Sequence, residues 1–218
     1  MTQEIDLMVN YPRSKRNIKE RVQQKTEYDR LLARQFGEAF FDGERSHGYG
    51  GFSYDSRFWT PVVPTFKEHF NLTASSRVLD VGCAKGFMMH DLSAAIPGIT
   101  VKGVDISGYA IANGIEDMRP HMFAADCKSL PFEDGYFDVA ISINTIHNLN
   151  LEGCVTALQE LERVAKRAYL TVDAYRNEIE KERMYAWNLT AKTIMSVDEW
   201  IKLFEEVGYT GDYYWFTP

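Results

Sequence analysis

Residues 78–86 read Val78-Leu79-Asp80-Val81-Gly82-Cys83-Ala84-Lys85-Gly86, an apolar strand that ends beside an acid and breaks at once into small residues opening a helix. Two glycines and an alanine let the backbone approach a ligand closely, since glycine carries no Cβ and tolerates left-handed conformations. This feature constrains the chain to a strand–loop–helix unit of an open α/β sheet, where ligands bind outside the carboxyl ends of the strands. A dinucleotide turn requires G-x-G-x-x-G, and Phe87 occupies the place of its third glycine. The spacing that remains is D-x-G-x-A-x-G.

From residue 75 onward strand and helix patterns alternate, as in a doubly wound, mostly parallel sheet. The strands expected are 77–81, 99–105, 121–125, 137–143, 168–173 and 209–216. Helices are expected over 87–96, 107–115 and 151–164, and over 196–208, where Ser196-Val197-Asp198-Glu199 is a capping box and Gly208 a stop. Residues 1–75 lie outside this alternation and form a helical and lid extension, with residues 76–218 as the catalytic domain. Lys15 to Phe36 reads as an amphipathic helix with Tyr28, Leu31, Leu32 and Gln35 on one side, and another short helix is expected over 64–70. Gly48 to Asp55 is a glycine-and-aromatic loop suited either to a mobile lid or to an irregular segment covering the core.

Composition narrows the partners. The 218 residues carry a net charge of −7, which removes the electrostatic term that dominates non-specific nucleic-acid binding. No apolar run approaches the roughly 18 residues that cross a bilayer, and the N-terminus is acidic where a secretory signal is basic, so a cytoplasmic location is expected. Cys83, Cys127 and Cys154 form no C-x-x-C pair, which argues against a metal site and a disulfide framework. The basic run Arg13-Ser14-Lys15-Arg16 reads as a solvated helix face or as a contact for phosphate.

The D-x-G-x-A-x-G turn resembles the first motif of class I S-adenosylmethionine (SAM)-dependent methyltransferases, with Ala84 where the middle glycine is usual. The resemblance implies a Rossmann-like methyltransferase fold and SAM as cofactor, held around Asp80, Gly82, Ala84 and Gly86. The family usually adds a last strand as an antiparallel hairpin, and no segment is left to form it. Asp105, followed by Ile106 at the end of the second strand, is placed for the ribose hydroxyls, although an NAD enzyme would show the same acid. Asp126-Cys127 resembles the adenine-binding segment, and the strand ending at Ile143 resembles the fourth strand of the family, beside the methionine portion.

The chemistry follows from a sulfonium methyl, which needs an acceptor lone pair in line and, for a protonated acceptor, a base. His147, just past the fourth strand, is the best-placed titratable group, read either as that base or as a packing and orienting residue. Asp173 and Tyr175 are the alternative catalytic groups. Asn144 and Arg176 are candidates for acceptor binding, Arg176 by a bidentate grip on an anion or else as a surface ion pair. Tyr49, Phe52, Tyr54, Trp59 and Trp187 are the aromatic candidates for walling the acceptor pocket.

The expected function is SAM-dependent methyl transfer to an oxygen or nitrogen of a small molecule, with a sugar or natural-product intermediate as one class of acceptor. The rivals are an NAD(P)-dependent oxidoreductase and a SAM-binding regulatory protein that transfers no methyl. The sequence leaves oligomeric state open.

Overall fold

A computed structural model describes residues 2–12, 26–50 and 53–217. The basic run at Arg13, the first half of the expected N-terminal helix, and Phe52 lie outside them.

Seven strands build one sheet: β1 (Arg77–Val81), β2 (Thr100–Asp105), β3 (Met122–Ala124), β4 (Val139–Ile143), β5 (Ala168–Tyr175), β6 (Met195–Ser196) and β7 (Asp212–Phe216). Their order is β3-β2-β1-β4-β5-β6, with β7 also on β5, and every pair is parallel. The fifth strand divides its outer edge: β7 pairs with Tyr169 to Asp173, and β6 with Ala174 and Tyr175. The last strand is therefore parallel, in line with the lack of a segment for an antiparallel hairpin. Strand order reverses between β1 and β4, which opens the crevice where such sheets bind ligands.

Alternation along the strands splits the core between the two faces. Leu79, Val81, Leu170 and Val172 pack with Leu158 and Leu161 of α7 (Leu151–Val164) and with Trp200 and Phe204 of α9 (Val197–Val207). On the opposite face Val78, Ile141 and Tyr169 meet Phe66 of α4 (Val63–Phe70) and Met88 and Leu92 of α5 (Phe87–Ala95). The free edge of β7 is capped by the N-terminal strap, since Ile5 donates to the Tyr213 carbonyl at 2.9 Å and Tyr213 to that of Gln3 at 3.1 Å. Tyr169 holds the strap from below, its hydroxyl donating to the Ile5 carbonyl at 3.2 Å and accepting from the Leu7 amide at 3.3 Å.

The expected helix 15–36 is corrected in its described half. α1 is Glu27–Ala33, started by a capping box in which Thr26 and Asp29 satisfy each other's backbone amides. Its buried side carries Asp29 and Ala33, whereas Tyr28 and Leu31, expected on one packed face, are 69% and 62% exposed. After a left-handed Phe36 (φ 50°) and Gly37, α2 (Glu38–Phe41) follows, and α3 (Ser56–Trp59) precedes α4. A further helix, α8 (Glu178–Trp187), follows β5 and is not among the helices expected from the sequence. Asn177 caps it by accepting from the Glu180 amide at 2.9 Å, an N-x-x-E start signal visible in the sequence. The remaining helix, α6 (Gly108–Ala112), follows β2 under a Ser107 cap.

Candidate active site

The turn after β1 takes the conformation its residues suggest. Gly82 and Gly86 sit at φ 83° and 78°, and Ala84 adopts a left-handed φ of 49° despite its side chain. The reason for glycine at 82 is partly internal: a Cβ there would collide with the Thr145 side chain, which arrives from the loop after β4. At 86 a Cβ would press on the Met122 sulfur.

Asp105 ties this turn to the next. One carboxylate oxygen accepts from the Ala84 amide at 2.9 Å and the other from the Ser107 amide at 2.8 Å, so the carboxylate is oriented before any ligand arrives. Burial raises its pKa, and the two amides oppose that rise. Beside it Ile106 presents an apolar face that is 59% exposed. Asp80 lies beneath, buried, its pKa raised to about 7 by desolvation and by the charge of Asp105. A carboxyl so poised favours a cation nearby, which lets it ionise.

Farther along the rim, Asp126 accepts from the Lys128 amide at 2.9 Å and pairs with the Lys128 ammonium at 3.4 Å. Cys127 packs half-buried against the core, its thiol pushed up to about 12 by burial. Ile143 ends β4 half-buried, and Asn144 follows in a left-handed turn (φ 53°), its side-chain oxygen accepting from the Thr171 hydroxyl at 2.9 Å.

The segment 26–50 crosses the carboxyl ends of the strands and is fastened at both sides. Toward β2, the Phe36 carbonyl accepts from the Ser107 hydroxyl, and Asp42 accepts from Tyr109 at 2.8 Å and pairs with Lys85 inside the turn. Toward β5, Arg34 donates to the Ala191 carbonyl at 3.2 Å and Arg30 to that of Tyr185 at 3.5 Å. Sequence reasoning missed Asp42 and Lys85, and only the lysine's place within the glycine turn hinted at it.

The aromatic candidates separate. Tyr49, near the end of this segment and 39% exposed, packs tilted against Phe40 and edge-on against Phe41, and burial, with the charges of Asp105 and Asp42, raises its phenol pKa. Tyr54 instead anchors its loop to α5, donating to Asp91 at 2.5 Å with its ring on Phe87 and His90. Trp59 packs edge-on against Tyr11, and Trp187 ends α8 half-buried.

His147 is 3% exposed, and both ring nitrogens face Asp173. Nδ1 accepts from the Asp173 amide at 2.9 Å, which leaves the proton on Nε2, 3.6 Å from the Asp173 carboxylate. Burial lowers the imidazole pKa, with Asp173 opposing. Asp173 also accepts from the Asn188 amide group, and its carbonyl takes the Trp200 indole N–H at 3.0 Å. The geometry is that of a closed pin joining β5 to the loop after β4. Tyr175 points toward Glu199, which with burial raises its pKa, and Lys181 lies 5.5 Å from its ring. Arg176 is engaged as a surface pair with Glu4 at 3.1 Å. The structure thus gathers Asp80, Gly82, Ala84, Gly86, Asp105 and Ile106 with Tyr49, whereas Tyr54, Tyr175 and Arg176 have partners elsewhere.

Comparison with known proteins agrees with this geometry. The family described as "Methyltransferase domain" matches residues 78–168. A sterol 4-C-methyltransferase of Caenorhabditis elegans is 36% identical over 45% of this chain and 30% of its own length. A tRNA (carboxymethyluridine(34)-5-O)-methyltransferase of Arabidopsis thaliana is 30% identical over 65% of this chain and 33% of its own. The chain thus spans about a third of the length of these curated relatives. Among solved structures, the [4+2]-cyclase SpnF superposes with a TM-score of 0.58 at 16% identity, covering 95% of this chain and 73% of that protein. At that identity the likeness speaks for the fold alone, the segments before the sheet included.

Proposed function

We propose that this chain, whose residues 78–168 match the family described as "Methyltransferase domain", is a class I SAM-dependent enzyme that transfers the methyl group of SAM to an oxygen or nitrogen of a small molecule. Proteins of this class take their methyl from SAM. The observation that carries the reading is the left-handed turn Gly82–Gly86 hooked to Asp105 by the Ala84 amide.

In this reading Asp105 holds the ribose diol and Ile106 covers the adenine, with Asp126 and Cys127 at its edge. Asp80 supplies negative potential for the cationic portion. Ile143 and Asn144 border the methyl-transfer position, and Tyr49 of the segment 26–50 walls it from water. The bound cofactor supplies an electrophilic methyl, so the chain has to orient, desolvate and, where needed, accept a proton. His147 acts by holding the 144–148 loop through Asp173. Residues 1–75 serve as cover and lid, and residues 76–218 as the catalytic domain.

The relatives' names cover a sterol carbon and a tRNA oxygen, so the acceptor class is argued from this chain's own charge. A net charge of −7 disfavours a polynucleotide, whose binding draws on a basic field. No described helix is long and apolar enough to cross a membrane.

Calorimetric binding of S-adenosylhomocysteine, followed by label transfer from deuteromethyl SAM into a metabolite extract read by mass spectrometry, tests the proposal. Tight binding with a labelled small molecule is expected. Preference for NADH, or binding without transfer, would favour the oxidoreductase or the regulatory reading.

A further inference from the structure

A cavity of about 340 Å³ lies between α1 and the connection from α8 to β6, lined by Arg30, Arg34, Tyr185, Asn188, Ala191 and Lys192. Its size falls at the small end of ligand sites, roughly 300–1,000 Å³. Two arginines and a lysine converge here on a chain whose net charge is −7. Glu27 pairs with Arg30 at 3.1 Å from the outer side, its own side chain 83% exposed. The nearby Asp173 carboxylate is occupied by Asn188.

Arg34 is the informative side chain. One terminal nitrogen donates to the Ala191 carbonyl, while Nε is buried with no hydrogen-bond partner among the described residues. A buried guanidinium N–H left unpaired is costly, and a carboxylate or phosphate oxygen is its natural complement. Arg30 is fixed beside it by its bond to the Tyr185 carbonyl.

Two chains of contact join this cavity to the cofactor turn. Asn188 donates to Asp173, which engages His147, and the loop carrying His147 sets Thr145 against Gly82. From the other wall, α1 leads to Phe36 and Asp42, which hold Ser107 and Lys85.

Resting on the methyl-transfer reading above, we infer that this cavity is the acceptor subsite and that it takes an anionic group, carboxylate or phosphate, of the molecule to be methylated. Arg34 and Arg30 grip the anion and Lys192 adds charge at the mouth. The acceptor atom then extends toward the 144–148 loop.

The test titrates inorganic phosphate, succinate and choline into the full chain loaded with S-adenosylhomocysteine, for the wild type, Arg34→Gln and Arg30→Gln. Saturable binding of at least one anion is expected, weakened about tenfold or more in each variant, with no binding of choline and with S-adenosylhomocysteine affinity within about twofold of wild type. The phosphate and succinate arms decide which anion is preferred. Arg30→Gln alters a half-exposed surface helix and keeps the test valid should Arg34→Gln fail to fold. Labelled products from the deuteromethyl experiment should be retained on an anion exchanger. Failure of both anions to bind, equal binding by the variants, or a neutral or cationic labelled product would overturn the inference while leaving methyl transfer standing. Anion binding without any label transfer would instead overturn the methyl-transfer reading, and with it the bound anion's role as acceptor.

Discussion

The Lys85 ammonium, in the middle of the glycine turn and only 6% exposed, pairs with the Asp42 carboxylate of the segment that crosses the sheet. Asp42 is held below the usual carboxylate range, burial opposing while Lys85 and Tyr109 favour its charged form. The covering segment and the glycine turn are thus joined by an ion pair with little water around the lysine. Asp42→Ala should remove this ion pair and cost about 1–3 kcal/mol of stability, and it should speed amide exchange over residues 27–41. Unchanged exchange there would show that the pair does not hold the segment.

Asp105→Ala removes a carboxylate already oriented by the Ala84 and Ser107 amides. Cofactor affinity should fall by about 1.5–3 kcal/mol, the scale of hydrogen bonds to a charged group. Calorimetry with S-adenosylhomocysteine reads this directly, and equal affinity would make Asp105 a strut of the loop alone.

Gly82→Val places a branched side chain at φ 83° and against Thr145. The variant should lose S-adenosylhomocysteine binding and also unfold at lower temperature, because the turn has to move away from the 144–148 loop. Relieving the clash with Thr145→Ala in the same chain should recover part of the stability and little of the binding. Full recovery of binding would mean that glycine serves packing only.

His147→Asn separates the pin from a base. Loss of the hydrogen bond from the Asp173 amide to Nδ1 should cost about 1–3 kcal/mol, while turnover at saturation falls less than the 10²–10⁴-fold typical of a lost general base. The sign of the pH effect follows from burial. The folded imidazole resists protonation, so below its ordinary value near 6.5 the unfolded chain takes up a proton that the folded chain does not. Stability from this residue is complete above that value and is lost as pH falls, a slope that the asparagine variant should lack in denaturant titrations.

Asp80 has the opposite sign. Its folded pKa of about 7 exceeds the ordinary 3.8, so between those values the unfolded chain releases a proton that the folded chain keeps, and stability declines as pH rises. A cationic ligand beside Asp80 should ionise it, so SAM binding near pH 6 should release a proton, and Asp80→Asn should abolish that release. Calorimetry in buffers of different ionisation enthalpy measures it.

The local signals in this chain were strong wherever a single segment carries its own instructions. The glycine spacing at 82–86, the strand-end acids Asp80 and Asp105, and the Ser196–Glu199 capping box each act within a few residues, so pattern alone located them. Asn177 and Glu180 announce α8, yet Trp187 at its end reads equally as a pocket wall, so local pattern does not decide that segment. The exposed Tyr28 and Leu31 show the limit of periodicity, since a helix can turn a small face such as Asp29 and Ala33 inward when its partners demand it.

What the sequence by itself determined was the six longer strands, their largely parallel polarity and the glycine turn after β1, while the two-residue β6 carries no pattern of its own, because hydrophobic alternation and turn chemistry are short-range. Only the tertiary structure decided the partners of side chains far apart in the chain. It turned both nitrogens of His147 onto Asp173, paired Arg176 with Glu4, locked Lys85 to Asp42 and brought Arg30 and Arg34 to face Lys192. Those pairings depend on how residues 26–50 lie across the strands. That placement is set by the summed packing and hydrogen bonding of segments more than a hundred residues apart, as between Arg34 and Ala191, and no local pattern encodes it.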